Sequence, residues 1–376
     1  MGGMTHDQEP VEEALFCRIA VVGLGLAGAC VVRALALAEQ HFERPLKVAA
    51  FEKASEPAMG ASGNPLAICH PLHSADNNLA SQFVDSGLQT TIDWLTELNA
   101  KAQGWADLCG VVERDRDDAL SLGGWVKPAH FVMACLASAH SILQERLILH
   151  YNAPHHSITE LKRGFDAVIV CTADDALLAD AGLALRAIAG QVSWVEAEPR
   201  EGPDRVLCAS GYVAPVVEGK LLVGASFNRE ELAPQVTEQG HEENFERLSE
   251  LSPDLAEAMR ARWPLAGGRA SVRFATPDRL PHVGSITSLG SLRSHPHPQR
   301  ISQLDHLPRV GGVYVLLGLG SRGLSFAPLG AELIAQMILG APPSLPERLI
   351  QAIDPARFVL RAHRRAAYSF GRHTAH

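Results

Sequence analysis

Gly23, Gly25 and Gly28 stand at the spacing G-x-G-x-x-G, and Glu52 follows 24 residues after the last of them. Glycines in that pattern let a backbone turn sharply and come close to a bulky anion. Gly23 permits the turn, Gly25 lets the main chain approach a pyrophosphate, and Gly28 lets a helix pack tightly on a strand. The N–H groups at the start of that helix then face negative charge. Glu52 offers a carboxylate to ribose hydroxyls. This chemistry requires a strand before the glycines and a helix after them. Residues 18–22 are a short run with Ile and Val, 29–39 an apolar helical stretch, and 46–51 a second strand that ends at Glu52. The βαβ unit predicts dinucleotide binding, with NAD and FAD both open at this point.

Two further segments favour FAD. Gly60-Ala61-Ser62-Gly63-Asn64 is a turn of small residues, suited to a pyrophosphate and the edge of a flavin ring. Residues 313–317 read as a last buried strand, which enters Gly318-Leu319-Gly320-Ser321-Arg322-Gly323-Leu324 and then a helix at 327–339. The positive end of that helix, aimed at the pyrimidine edge of a flavin, stabilises the anion of the reduced ring. The candidate cofactor residues are Gly23, Gly25, Gly28, Glu52, Ala61, Ser62, Gly63, Asn64, Gly318, Gly320, Ser321, Arg322, Gly323 and Leu324, and the expected cofactor is non-covalent FAD.

The elements around these motifs read as mixed α/β (α+β). Amphipathic helices are expected at 79–103 and 238–263, a helix at 129–146, a buried strand at 166–171, a hairpin over 211–227 turning at Glu218-Gly219, and an exposed loop at 287–309. A Rossmann-like FAD-binding domain would comprise residues 17–75, 125–199 and 265–345, with an inserted antiparallel-sheet substrate domain at 76–124 and 200–264. Residues 1–16 are an expected disordered acidic tail, with four acids and no base. Residues 346–376 are an expected basic C-terminal tail.

Composition removes other classes. With 376 residues, 47% apolar and 20% charged, the chain is neither disordered nor fibrous. No apolar run reaches the ~20 residues that span a bilayer. Seven scattered Cys without a C-x-x-C pair argue against a disulfide framework or zinc site and for the cytoplasm. A net charge of −9 opposes general nucleic-acid binding. Residues 341–376, with six Arg against Glu347 and Asp354, still carry a local excess of 6 − 2 = +4 that suits phosphates. His70, His155, His156 and the histidines of 295–306 lack ligand spacing and read as surface residues, so no metal is expected.

Several segments also carry a resemblance. GASGN (60–64), GGWVKP (123–128), FDAVIV (165–170), AGQVS (189–193), SGYVAP (210–215), GASFNRE (224–230), GGRASVRFATPDRLPHVG (267–284), GLGSRGLSFAPLGAELIA (318–335) and DPARFVLR (354–361) occur in family order. The chain resembles the D-amino-acid-oxidase-like (DAO) flavoproteins, of the DAO/glutathione-reductase-like fold type, which include glycine and sarcosine oxidases. It is more similar still to the FAD-dependent oxidoreductase domain of the MnmC family, the bacterial tRNA 5-methylaminomethyl-2-thiouridine biosynthesis proteins.

That resemblance implies a substrate, 5-carboxymethylaminomethyl(-2-thio)uridine at the tRNA wobble position. Oxidation of the glycyl α-carbon gives an imine, which hydrolyses to the aminomethyl form and glyoxylate. It implies that Arg273 holds the substrate carboxylate, that Tyr212 lies beside the substrate, and that Arg322 flanks the flavin ring. It implies tRNA (anticodon region) as partner. Only an acidic stretch precedes residue 17, so a stand-alone oxidoreductase is expected, with a separate SAM-dependent methyltransferase as a further partner. The chain departs from the family at Pro65-Leu66-Ala67, where Arg-Gln-Gly is usual, and at Thr172-Ala173-Asp174-Asp175, where a glycine is usual. Alternative readings are an oxidase or dehydrogenase of a free small amino acid (glycine, sarcosine or D-amino acid type), or a non-catalytic FAD-binding partner of a methyltransferase.

Overall fold

The computed structural model describes residues 15–116, 118–154, 157–174, 176–227, 235–296 and 301–373. The expectations for residues 1–14, His155, His156, Asp175 and His297 fall outside them.

Apolar runs without polar alternation belong in strands covered on both faces, and here they meet in one sheet. Its strands are β1 (Cys17–Val22), β2 (Leu46–Phe51), β8 (Leu147–His150), β9 (Ala167–Val170), β15 (His282–Thr287) and β16 (Arg309–Leu317), in the order β15-β16-β9-β1-β2-β8. All neighbours are parallel except β15 against β16. Helices α1 (Leu26–Leu37), α2 (Leu79–Glu97), α3 (Pro128–Leu143) and α8 (Gly323–Leu339) enclose one core around Phe83, Phe131 and Phe326. On the other face, α4 (Ile158–Gly164) sets Leu161 among Val168 and Val170. This is the Rossmann-like layer.

The second sheet contains β5 (Val111–Glu113), β6 (Ala119–Ser121), β10 (Arg186–Glu196), β11 (Val206–Cys208), β12 (Tyr212–Val213), β13 (Lys220–Gly224) and β14 (Gly267–Ala275). Their order is β14-β10-β13-β12-β11-β5-β6, antiparallel except β11 with β5. Helices α5 (Glu238–Leu251) and α6 (Pro253–Met259) cover one face, packing Leu248, Leu251 and Met259 on Val195, Val213 and Leu221. The expected single helix over 238–263 breaks at Ser252, because Pro253 starts a new first turn. A small third sheet pairs β3 (Ala67–Cys69), β7 (Gly124–Val126) and β4 (Ala106–Asp107).

The boundaries drawn from sequence shift in three places. Strands β10 and β14, assigned to the FAD-binding domain, pair with each other along residues 186–194 and 267–275 in the antiparallel sheet. Helix α2, assigned to the inserted domain, packs in the first core. Thr91 Oγ1 donates to the Leu324 carbonyl at 2.6 Å and Trp94 Nε1 to Glu332 Oε1 at 2.9 Å. Residues 346–376 are not a tail along their described length. Helices α9 (Glu347–Ile353) and α10 (Arg357–His373) bury Leu349, Ile353, Ala356 and Leu360, an apolar stripe at helical spacing that a charge count overlooks. The expected exposed loop at 287–309 packs on them through Leu292, Ile301 and Leu307, and includes α7 (Leu289–Arg293).

Candidate active site

Gly23 has φ of +95°, and a Cβ there would stand 2.7 Å from the Cys171 carbonyl oxygen. A Cβ on Gly28 would run into the Gly23 carbonyl. Gly25 begins α1 without a side-chain cap. Ser62 Oγ accepts the Leu26 N–H at 2.9 Å, so the GASGN turn lies against the positive end of the helix. The Ser62 hydroxyl hydrogen remains for an anion. Glu52 is buried and accepts the N–H of Leu24 (2.8 Å) and of Ala54 (3.0 Å) on separate oxygens. Both oxygens keep acceptor capacity toward a diol.

These groups open on a cavity of about 1010 Å³. Of the candidate cofactor residues, Gly28 and Gly63 stand behind its wall and the others line it. Gly320 N–H donates to the Phe274 carbonyl at 2.8 Å, which ties the late glycine turn to β14. Helix α8 then starts at Gly323 without a side-chain cap. Arg322 Nη1 donates to the His70 carbonyl at 3.2 Å, and burial pulls its proton affinity down. After β9, Ala173 holds φ of +73°, a conformation that favours glycine.

One row of the second sheet supplies the facing wall. Register pairs Arg269 with Val192, Val192 with Gly224, Gly224 with Tyr212, Tyr212 with Cys208, and Cys208 with Glu113. Paired residues face one side of a sheet, and alternate residues of a strand share it, so Ser271 and Arg273 join this face. Arg269 Nη2 donates to the carbonyls of Met59 (2.9 Å) and Gly60 (2.7 Å), and Ser271 Oγ to Asn64 Oδ1 (3.3 Å). The GASGN turn is thereby latched to β14.

The structure brings Arg273 and Tyr212 into the same cavity. The Arg273 guanidinium lies 4.9 Å from the Phe227 ring centroid, and its buried Nη2 has no hydrogen-bond partner among the described residues. Burial lowers its proton affinity, against the pull of Tyr212. Burial also pushes the Tyr212 phenol well up, so it stays protonated.

Sequence reasoning missed a third group. His70 and His73 line the cavity with Glu113 and Arg116. His70 Nδ1 is buried without a hydrogen bond among the described residues, 4.0 Å from Glu113 Oε1, and His73 Nε2 is 3.2 Å from the same oxygen. Ser121 Oγ also donates to Glu113 Oε1, and Arg116 Nη1 to Oε2 at 3.3 Å. Burial, assisted by Arg322 and opposed by Glu113, pushes His70 down to about 4. The His70 ring is thus half-buried, 26% exposed with Nδ1 turned away from solvent, rather than free on the surface as expected. The available signal was its position directly behind the GASGN turn. Among the described residues no group of three or more His, Cys, Asp or Glu is placed to hold a metal ion, and no helix is long and apolar enough to cross a membrane.

A largely parallel sheet with a glycine cradle, faced by an antiparallel sheet across one large cavity, is the framework of a dinucleotide-binding protein. The family described as DAO, FAD dependent oxidoreductase, matches residues 18–121 and 119–337; the chain belongs to that family, and its cofactor is FAD. The uncapped start of α1, the Ser62 hydroxyl and the Glu52 carboxylate fit that group. Curated relatives include the tRNA 5-methylaminomethyl-2-thiouridine biosynthesis bifunctional proteins MnmC of Azoarcus sp. (strain BH72), 31% identical over 417 residues, and of Burkholderia thailandensis, 32% identical over 405. The matches cover 94% and 92% of this chain but 62% and 60% of those proteins, so the chain spans about three fifths of their length. Glycine oxidase from Geobacillus kaustophilus shares the fold at TM-score 0.66 and 19% identity, over 90% of this chain and 99% of that one. L-proline dehydrogenase from P. horikoshii does so at TM-score 0.67 and 14% identity, over 91% and 97%.

Proposed function

We propose that the chain removes the carboxymethyl group, as glyoxylate, from 5-carboxymethylaminomethyl(-2-thio)uridine at the wobble position of tRNA, in the cytoplasm, leaving the aminomethyl form. The observation that carries this reading is Arg273 Nη2 in the cavity wall, buried and without a hydrogen-bond partner among the described residues. The substrate side chain is an N-substituted glycine, whose carboxylate is attached to the carbon that must lose hydride. A buried guanidinium nitrogen without an acceptor is a site for that anion. The guanidinium fork holds the carboxylate and sets the direction of the neighbouring C–H bond. Tyr212 stays a neutral hydrogen-bond donor at the same wall. Bound FAD supplies the two-electron acceptor. The names of the curated relatives support tRNA, rather than a free amino acid, as bearer of this side chain.

The test is mass spectrometry of wobble-uridine nucleosides from a deletion strain, beside glyoxylate release by the purified protein on that tRNA. The carboxymethylaminomethyl nucleoside should accumulate. Unchanged nucleosides, with turnover of free glycine or sarcosine, would replace this reading by the free amino-acid one.

A further inference from the structure

We propose that His70, Glu113 and His73 form a proton exit, which takes the proton of the substrate ammonium and passes it towards solvent. This rests on the reading above, because it concerns the amine of that substrate. An alkylamine of this kind is protonated in neutral water, and hydride can leave the α-carbon only when the nitrogen has its lone pair. The proton must therefore go first. The N–H bond breaks, its electron pair stays on nitrogen, and the proton passes to the His70 ring. The lone pair then forms the C=N bond as hydride departs.

The geometry supplies each station. His70 lines the cavity that holds Arg273 and Tyr212, and its Nδ1 is buried and, among the described residues, without a hydrogen bond. Glu113 Oε1 lies 4.0 Å from that nitrogen, on a side chain only 7% exposed. His73 Nε2 lies 3.2 Å from the same oxygen, on a side chain 39% exposed. A buried carboxylate thus links a ring on the cavity wall to a more open one. Arg322 holds the His70 carbonyl and so fixes the backbone that carries the ring.

Among the described residues, the charged and titratable groups that act on His70 are Arg322 at the head of α8, Glu113 in β5, Asp115 in the turn after it, and His73 on its own loop; Arg116 and Cys208 act on Glu113 and its neighbours. Burial and guanidinium charge keep the ring neutral, and they weaken the hold of a bound ammonium on its proton in the same way. Donor and acceptor are therefore displaced together. Glu113 favours the charged ring once it forms.

The test is stopped-flow flavin reduction by carboxymethylaminomethyl-tRNA across neutral to alkaline pH, with holoenzyme, H70N and E113Q. H70N should reduce about 10²–10⁴-fold more slowly at neutral pH and recover as the free amine loses its proton in solution. FAD content and tRNA affinity should stay unchanged. E113Q should show the same pattern more weakly. Histidine NMR of the resting enzyme should show His70 neutral down to about pH 4, and lower still in E113Q. Wild-type rates in H70N, or a loss that alkaline pH does not restore, overturn the proposal. A wild-type flavin that this tRNA does not reduce defeats the function reading instead, and this one with it.

Discussion

A guanidinium nitrogen removed from water without an acceptor is costly until an anion reaches it. Among the described residues Arg273 Nη2 is in that condition, and the balance predicts the behaviour of its variants. A charge-assisted hydrogen bond of about 1.5–3 kcal/mol corresponds to a loss of roughly 10- to 150-fold in flavin reduction for R273A. R273K keeps charge but not the fork, and should fall between. FAD content should be normal in both, measured by absorbance; apoprotein from R273A would make Arg273 structural instead. Glu52 makes the opposite kind of contact, since its carboxylate holds the Leu24 and Ala54 N–H groups and faces the cavity. E52R should therefore lose FAD affinity, and E52Q should lose less. Fluorescence titration with FAD separates these outcomes, and unchanged binding in E52R would remove Glu52 from the cofactor site.

The turns and strands that carry these residues were unequally legible. Ala173 shows the physical cost of a departure. Its φ of +73° lies where a side chain costs on the order of 1–2 kcal/mol. A173G should raise the melting temperature by roughly 1–3 °C, and a fall would show that the neighbouring turn, not strain, sets stability there. The glycine fingerprint and its flanking strands could be read because both sides of the motif are local. The allegiance of β10 and β14 could not, because pairing partners far apart in sequence leave no trace in either strand's own pattern. The start of α8 at Gly323 rather than 327 was hidden by Pro328, which the helix accommodates within its first two turns. His70 was visible, but its acceptor Glu113 lies on another sheet, and a lone histidine in a loop gives no hint of a buried carboxylate.

At the scale of the molecule, the arginines near the C-terminus hold it together before they meet any phosphate. Arg357 grips Asp278 at 3.0 and 2.9 Å, Arg361 joins at 3.0 Å, and Arg364 donates to the Ser302 carbonyl. The same clamp contains His282, fully buried in β15, with Nδ1 3.0 Å from Arg357 Nη1. Burial first, then the Arg357 charge, pushes His282 down to about 3, as burial and Arg322 push His70 down to about 4. Both bind a proton more weakly folded than unfolded, where histidine titrates near 6.5. Below that value the unfolded chain takes up more protons, so stability rises with pH through this window and is lost on acidification. Asp278 and Glu113, held below their usual range despite burial by Arg357 and Ser121 respectively, act in the same direction at lower pH. Chemical denaturation of the holoenzyme should show stability level above about pH 6.5 and falling by several kcal/mol toward pH 4. H282Q, which cannot titrate, should be less stable at neutral pH but show a shallower acid limb. An equally steep limb in H282Q would mean that other groups, not the buried histidine of the clamp, drive acid unfolding.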